Sequence, residues 1–270
     1  MDKRLELVRD SLSKWSVDGV LITSPANRRW LSGFTGSAGK LLVTSEKAVL
    51  STDSRYWEQA AREAPEFEIY RQSDAQDVKF LSSAGASRIG FESNHMTIGE
   101  LNFLQEVDGL SWTALAVTAE AFRPVKSAAE LKLIRKAARI TDATVAEFPK
   151  LAKPGVSEKS VAWELEKFMR ESGADRAAFD IIVAAGPNSA LPHHHPADRE
   201  LAPGDIVIVD LGAEVGGYKS DLTRTFYLGD SADDKFWEIY DAVLKAQLAA
   251  IGGIREGVSG KEIDSLARDI

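Results

Sequence analysis

The 270-residue sequence has no cysteine, which excludes disulfides, thiolate-held zinc and thiol nucleophiles. Any metal must therefore be held by oxygen and nitrogen. Histidine is scarce too: there are four, at positions 95, 193, 194 and 195. No uninterrupted apolar run approaches the roughly 20 residues that a membrane helix needs. The opening Met1-Asp-Lys-Arg-Leu-Glu lacks the apolar stretch of a secretory signal. A basic excess is also missing, with 33 Lys and Arg against 41 Asp and Glu and a formal net charge of -8. Neutralising phosphate needs a basic face, so nucleic acid and anionic membranes are not expected partners. A cytoplasmic location is the expectation. What is present is an ordinary globular composition, 44% hydrophobic and 27% charged, in a chain long enough for two domains.

The first part alternates helical and strand-like segments and reads as an α/β domain over residues 1–122. A helix is expected over Lys3 to Trp15, strands at Gly19 to Thr23 and Arg88 to Glu92, and two short strands around Ser45-Glu-Lys47. Arg123-Pro124 marks a boundary, because proline stops local structure and a new helix signal follows at once. That signal is the capping box Ser127-Ala-Ala-Glu130, with Leu131, Ile134, Ala138, Thr141, Val145 and Phe148 as its apolar stripe. A second helix starts at Ser157, turns Val161, Leu165 and Phe168 inward, and stops at Gly173.

The same arrangement returns farther on. Gly155-Val-Ser-Glu-Lys159 and Gly257-Val-Ser-Gly-Lys261 align at an offset of 102, each between two helix patterns, which indicates an internal repeat. Only eleven residues follow Ser259, and the last helix, with Ile263, Leu266 and Ile270 on one face, has no C-terminal glycine or proline. The expectation is a chain that stops inside a helix and is a fragment of a longer polypeptide.

Between the repeats lies Val207-Ile-Val-Asp-Leu-Gly-Ala-Glu-Val-Gly-Gly-Tyr-Lys-Ser-Asp-Leu-Thr-Arg-Thr-Phe226, two β-branched runs around a glycine turn. A turn centred between Val215 and Gly216 puts Asp210 directly opposite Asp221, with Cβ atoms roughly 5 Å apart. Two carboxylates that close repel unless one is protonated or a cation lies between them. Asp210 and Asp221 are thus candidate metal ligands.

This aspartate pair, with Asn188-Ser-Ala-Leu-Pro-His193, Gly204-Asp-Ile-Val-Ile-Val-Asp210 and Arg123-Pro-Val-Lys-Ser127, resembles the creatinase and methionine aminopeptidase superfamily. Its proline-specific branch, the Xaa-Pro dipeptidases (prolidases) and Xaa-Pro aminopeptidases, is the nearest match. Asn27-Arg-Arg-Trp-Leu-Ser-Gly-Phe-Thr-Gly-Ser37 and Thr52-Asp-Ser-Arg-Tyr56 resemble that branch's N-terminal domain. The resemblance implies an α+β pita-bread catalytic domain over residues 123–270, incomplete at its C-terminus. It implies metal-dependent cleavage of Xaa-Pro bonds in dipeptides or at peptide N-termini, by a homodimer. In the family two divalent cations are held by two Asp, one His and two Glu. Asp210 and Asp221 match the two aspartates, and the other three ligands have no counterpart in this chain. Mn²⁺ is the expected metal, with Co²⁺ or Zn²⁺ as alternatives. The chain ending at Ile270 is therefore expected to be inactive by itself. His193 matches the family's active-site histidine, placed beside the substrate carbonyl.

Several residues keep two readings. Phe179 is a core residue or an apolar wall of the substrate pocket; Tyr218 is similarly open. His194 and His195 read as loop residues, and Arg55 as exposed, at an interface, or reaching substrate. Gly33, Gly36 and Gly39 match no nucleotide motif and read as turn glycines. The alternative function is a non-peptidase of the same fold, either a creatinase-like amidinohydrolase or a peptide-binding protein. Opposed carboxylates count against it.

Overall fold

The structure, a computed structural model, describes residues 3–74 and 77–270. Met1 and Asp2, part of the segment read for a signal peptide, lie outside the described residues. The chain divides into two compact units between Lys126 and Ser127. The division falls a little after Arg123-Pro124 because Arg123 is still tied to the first unit, its Nη1 donating to Asn27 Oδ1 at 2.8 Å.

In the first unit, α1 (Lys3–Leu12), β1 (Gly19–Ile22), α2 (Pro25–Ser32), β2 (Lys40–Thr44), β3 (Ala48–Thr52) and α3 (Trp57–Glu63) come first. They are followed by β4 (Glu68–Arg71), α4 (Lys79–Ser83), β5 (Arg88–Glu92), α5 (Ile98–Gln105) and β6 (Ser111–Leu115). The strands form one mixed sheet in the order β4-β3-β2-β1-β5-β6. Side chains alternate across a strand, so Val20, Ile22, Leu41, Val43 and Leu50 enter one core with Val8, Leu12 and Phe34. Leu21, Leu42, Val49 and Ile89 enter a second core with Phe80 and Leu104. Burial on both faces is why these strands read as continuous apolar runs.

At the start of α2 the buried Glu92 carboxylate accepts from Thr23 N at 2.6 Å and Ser24 N at 2.7 Å. A helix N-terminus favours an anion, and here the chain supplies its own. Of the nearby glycines, Gly33 ends α2 with φ 79°, while Gly36 and Gly39 lie in the irregular segment before β2, where their carbonyls accept from the buried Arg28 guanidinium, each at 2.7 Å.

In the second unit, α6 (Ala128–Leu151) and α7 (Glu158–Glu171) pack on two small sheets. The strands are β7 (Arg176–Ala177), β8 (Ile182–Ala185), β9 (Ile206–Leu211), β10 (Ala213–Val215), β11 (Tyr218–Lys219) and β12 (Leu222–Tyr227). They are ordered β11-β10-β7 and β12-β9-β8. The Ser127–Glu130 capping box forms, and Ser157 caps α7 by accepting from Ser160 N. Each such cap contributes about 1 kcal/mol. The buried stripe differs from the expected one: Ala137, Ile140, Thr141, Thr144, Val145 and Phe148 on α6, and Met169 in place of Phe168 on α7. A helix of this length drifts relative to a fixed spacing, so one face cannot be followed from end to end. Phe148 is fully buried, its ring centroid 4.4 Å from that of Phe226, which stabilises the fold by roughly 2–3 kcal/mol.

Two more helices, α8 (Asp234–Gly253) and α9 (Gly260–Arg268), repeat the α6–α7 local pattern. Gly155 and Gly257 precede the second helix of each pair with φ 84° and 83°, and Ser157 and Ser259 cap those helices. The pairs differ in burial. On α8 the apolar Trp237, Val243, Leu248 and Ile251 are exposed, and Ile270 lies beyond the end of α9. No helix among the described residues is long and apolar enough to cross a membrane.

Candidate functional site

The hairpin register places the aspartates. Gly216 and Gly217 both have positive φ, 58° and 77°, and form a two-residue turn between the paired Val215 and Tyr218. Such turns need φ above zero at both central positions, which glycine adopts without strain. The turn is therefore centred between the two glycines, one residue later than the sequence suggests. Asp210 faces Thr223, and Asp221 lies just outside the ladder that begins at Leu222. This corrects the expectation that Asp210 and Asp221 are directly opposed. They are diagonal neighbours, a relation that spans on the order of 7 Å. At that spacing the two carboxylates repel each other less and call less strongly for a cation, but both line the same cavity. Val207, Val209 and Leu211 of β9 turn into the core, so Asp210 projects from the opposite face.

The step between the two paired parts of the hairpin is tightly held. Ala213 N donates to Thr141 Oγ1 and to Ser220 Oγ, each at 3.0 Å, and the two hydroxyls lie 2.6 Å apart. At Gly212 a Cβ would run into the Ser220 carbonyl, so only glycine permits this approach just before Asp221. Asp210 is half-buried and its Oδ1 accepts from Thr223 Oγ1 at 2.9 Å. Asp221 is exposed and its carboxylate meets no partner among the described residues.

The facing wall is the loop after β8. It leaves the strand at Gly186, whose φ is 53° and whose missing Cβ makes room for Arg199 and Asp205. Those two form a bidentate ion pair with both contacts at 2.8 Å. The loop carries His193 and His195, both exposed, while His194 turns to the buried Glu158, Nε2 to Oε2 at 2.7 Å. Burial pushes the Glu158 carboxyl up, but bonds from Ala185, Asn188, His194 and Ala197 outweigh it and hold it below the usual glutamate range.

His193, Phe179, Asp210 and Asp221 line one cavity of about 370 Å³. The structure thus brings all four candidate residues together. Asp180 and Ile182 line it too, and neither stood out in the sequence. Phe179 is half-buried at the wall, while Tyr218 OH donates to Glu130 at 2.7 Å. Arg55, in the first unit, grips Asp53 at 2.8 and 2.9 Å, and that bidentate bond holds the Asp53 carboxyl near a pKa of about 2.

The donor set fits part of a site for hard cations: two carboxylates on one cavity, one of them unpartnered. Among the described residues no group of three or more His, Cys, Asp or Glu could hold a metal ion. A third ligand is thus not supplied by the described residues.

The metallopeptidase family M24 model matches residues 132–270, and the creatinase/prolidase N-terminal domain model matches residues 4–125. The chain belongs to metallopeptidase family M24. An uncharacterized peptidase of Bacillus subtilis is 40% identical over 98% of this M24 chain and 76% of its own length. Among solved structures, an Xaa-Pro dipeptidase from Bacillus anthracis superposes with a TM-score of 0.94 at 38% identity, covering 99% of this chain and 76% of that one. A prolidase from Pyrococcus horikoshii superposes with a TM-score of 0.93 at 32% identity, covering 99% and 77%. This M24 protein is therefore a metallopeptidase with a creatinase-type first domain and a pita-bread catalytic domain, and the family works with divalent metal ions.

Proposed function

We propose that this M24 protein hydrolyses the Xaa-Pro bond of dipeptides or of peptide N-termini, with Asp210 and Asp221 as metal ligands and His193 beside the scissile carbonyl. The observation that carries this reading is the convergence of His193, Phe179, Asp210 and Asp221 on one cavity. The dipeptidase and prolidase names of the relatives support it. An amidinohydrolase without metal has no use for the unpartnered Asp221.

Divalent cations held there supply Lewis acidity and charge neutralisation when bound. Mn²⁺ is the metal of choice for an all-oxygen pair, with Co²⁺ or Zn²⁺ as substitutes. Thr223 donates to Asp210 Oδ1, which steadies the carboxylate that lines the cavity. His193, exposed at the rim, donates an N–H to the carbonyl oxygen of the bond to be cut, and the bond strengthens as negative charge develops. Phe179 gives the proline ring an apolar wall. Two carboxylates alone hold a cation weakly, so the 270 residues by themselves are expected to turn over little or no substrate. A cytoplasmic homodimer completes the proposal.

The test uses the protein made from its complete coding frame, supplied with Mn²⁺, on Ala-Pro and on a longer Xaa-Pro peptide. Cleavage at proline, absent with Ala-Ala, supports the reading. A folded protein that binds Mn²⁺ and cuts neither would end it.

A further inference from the structure

Glu158, the first residue of α7, is wholly buried, yet among the described residues it makes no salt bridge to a lysine or arginine. Its Oε1 accepts from Ala185 N at 2.8 Å and Asn188 Nδ2 at 3.0 Å. Its Oε2 accepts from His194 Nε2 at 2.7 Å and Ala197 N at 3.0 Å. An ionised carboxylate has no proton to give, so His194 carries its hydrogen on Nε2. Glu158 N and Lys159 N add backbone bonds to Arg199 O and Ala197 O.

The donors bracket the segment from Ser189 to His193. Asn188 precedes His193, His194 follows it directly, and Ala197 closes the loop. The His193 ring is exposed and makes no hydrogen bond to another described residue, so nothing of its own holds it over the cavity. Its location depends on the neighbours that Glu158 holds.

We propose that Glu158 and His194 are a positioning pair for His193: the buried carboxylate anchors the second imidazole of the triplet and so presents the first to Asp210 and Asp221. This rests on the role given to His193 under the proposed function and extends it to the buried Glu158 and to His194, which borders the same cavity but acts here through its bond to Glu158. A misplacement of about 1 Å in such a group costs on the order of 10²-fold in rate.

The four histidines of the chain make the test direct, since each ring is visible by ¹³C labelling at Cε1. Ring relaxation is measured in the parent and in Glu158→Gln, His194→Phe, His194→Gln and Ser157→Ala. Glu158→Gln turns an amide toward donors and His194→Phe removes the anchored N–H. Both are expected to raise His193 ring mobility while His95 is unchanged. His194→Gln, which keeps an N–H donor, restores His193. Ser157→Ala removes the α7 cap and lowers Tm without moving the His193 signal, which separates positioning from plain helix stability. In the active protein, Glu158→Gln and His194→Phe lower kcat at least ten-fold with KM within about two-fold, as loss of a transition-state contact requires. If Glu158→Gln does not fold, His194→Phe decides alone. A His193 ring as rigid in His194→Phe as in the parent, or loosened equally by Ser157→Ala, overturns the proposal. Failure of the parent to cleave Xaa-Pro bonds would end the functional reading and leave the relaxation result to judge the pair.

Discussion

The two walls of the cavity are held in different ways. Asp210 stands on, and Asp221 just before, a backbone ladder whose register is set by Gly216 and Gly217 and whose one irregular step is locked by Gly212, Thr141 and Ser220. His193 stands on a loop held by the Glu158 carboxylate and the Arg199–Asp205 pair. A wall set by register tolerates changes at its surface and fails when its backbone is crowded. A wall set by a few polar bonds can be released by one substitution or by pH.

Crowding the first wall has the largest expected effect. Gly212→Ala forces a Cβ against the Ser220 carbonyl and should cost about 3 kcal/mol, read as a lower urea midpoint with loss of Mn²⁺ binding. A variant as stable as the parent would mean that the backbone opens easily there. Next comes Thr141→Val, which removes the hydroxyl that serves Ala213 N and should cost about 1–2 kcal/mol. The two aspartates differ from both. Asp221→Asn should lower Mn²⁺ affinity at least ten-fold, about 1.4 kcal/mol, while leaving Tm almost unmoved because the carboxylate is exposed and unpartnered. Calorimetric titration beside a thermal melt separates the two quantities.

The second wall should respond to acid. Hydrogen bonds from Arg199 hold Asp205 below its ordinary value, and Glu158 is held low by its four donors against the opposing effect of burial. Both folded values lie below those of the unfolded chain, near 3.8 for Asp and 4.5 for Glu. Their stabilisation is thus full above that range and fades as pH falls through the depressed folded values. Protection of the Ala185 and Ala197 amides against exchange should fall as pH drops through those depressed values, relative to Val209 in the ladder. Equal loss of protection at all three would erase the contrast between the walls. The smallest effect is Ser259→Ala, expected to cost about 0.5–1 kcal/mol of α9 stability, visible as local fraying.

The ladder wall was largely legible in the sequence. β-branched runs, paired glycines and two aspartates announced a hairpin with its carboxylates on one side. The register lies one residue from the expected one because Gly216 and Gly217, and not Val215-Gly216, make the tight turn. The capped helices were legible for the same local reason: Ser127, Ser157 and Ser259 satisfy amides three residues on. Burial was less so. The two helix pairs share their turn glycine and cap, yet Val145 and Phe148 are buried while Val243 and Leu248 are exposed, which depends on what packs against them. Glu158 was illegible as more than a helix-start acid, since its partners lie 27 to 39 residues away and two of them are backbone amides. The role of His194 follows from Glu158 and was hidden with it.

That Asp210 and Asp221 hold a cation on the cavity that His193 also lines is the central claim, and Mn²⁺ titration of Cε1-labelled protein tests it most directly. Paramagnetic broadening should reach His193 and spare His95, should vanish in the Asp210→Asn, Asp221→Asn double variant, and should persist in His195→Ala. Broadening that survives loss of both aspartates and disappears with His195 would show the histidine loop binding metal on its own, and the account of the site would be wrong.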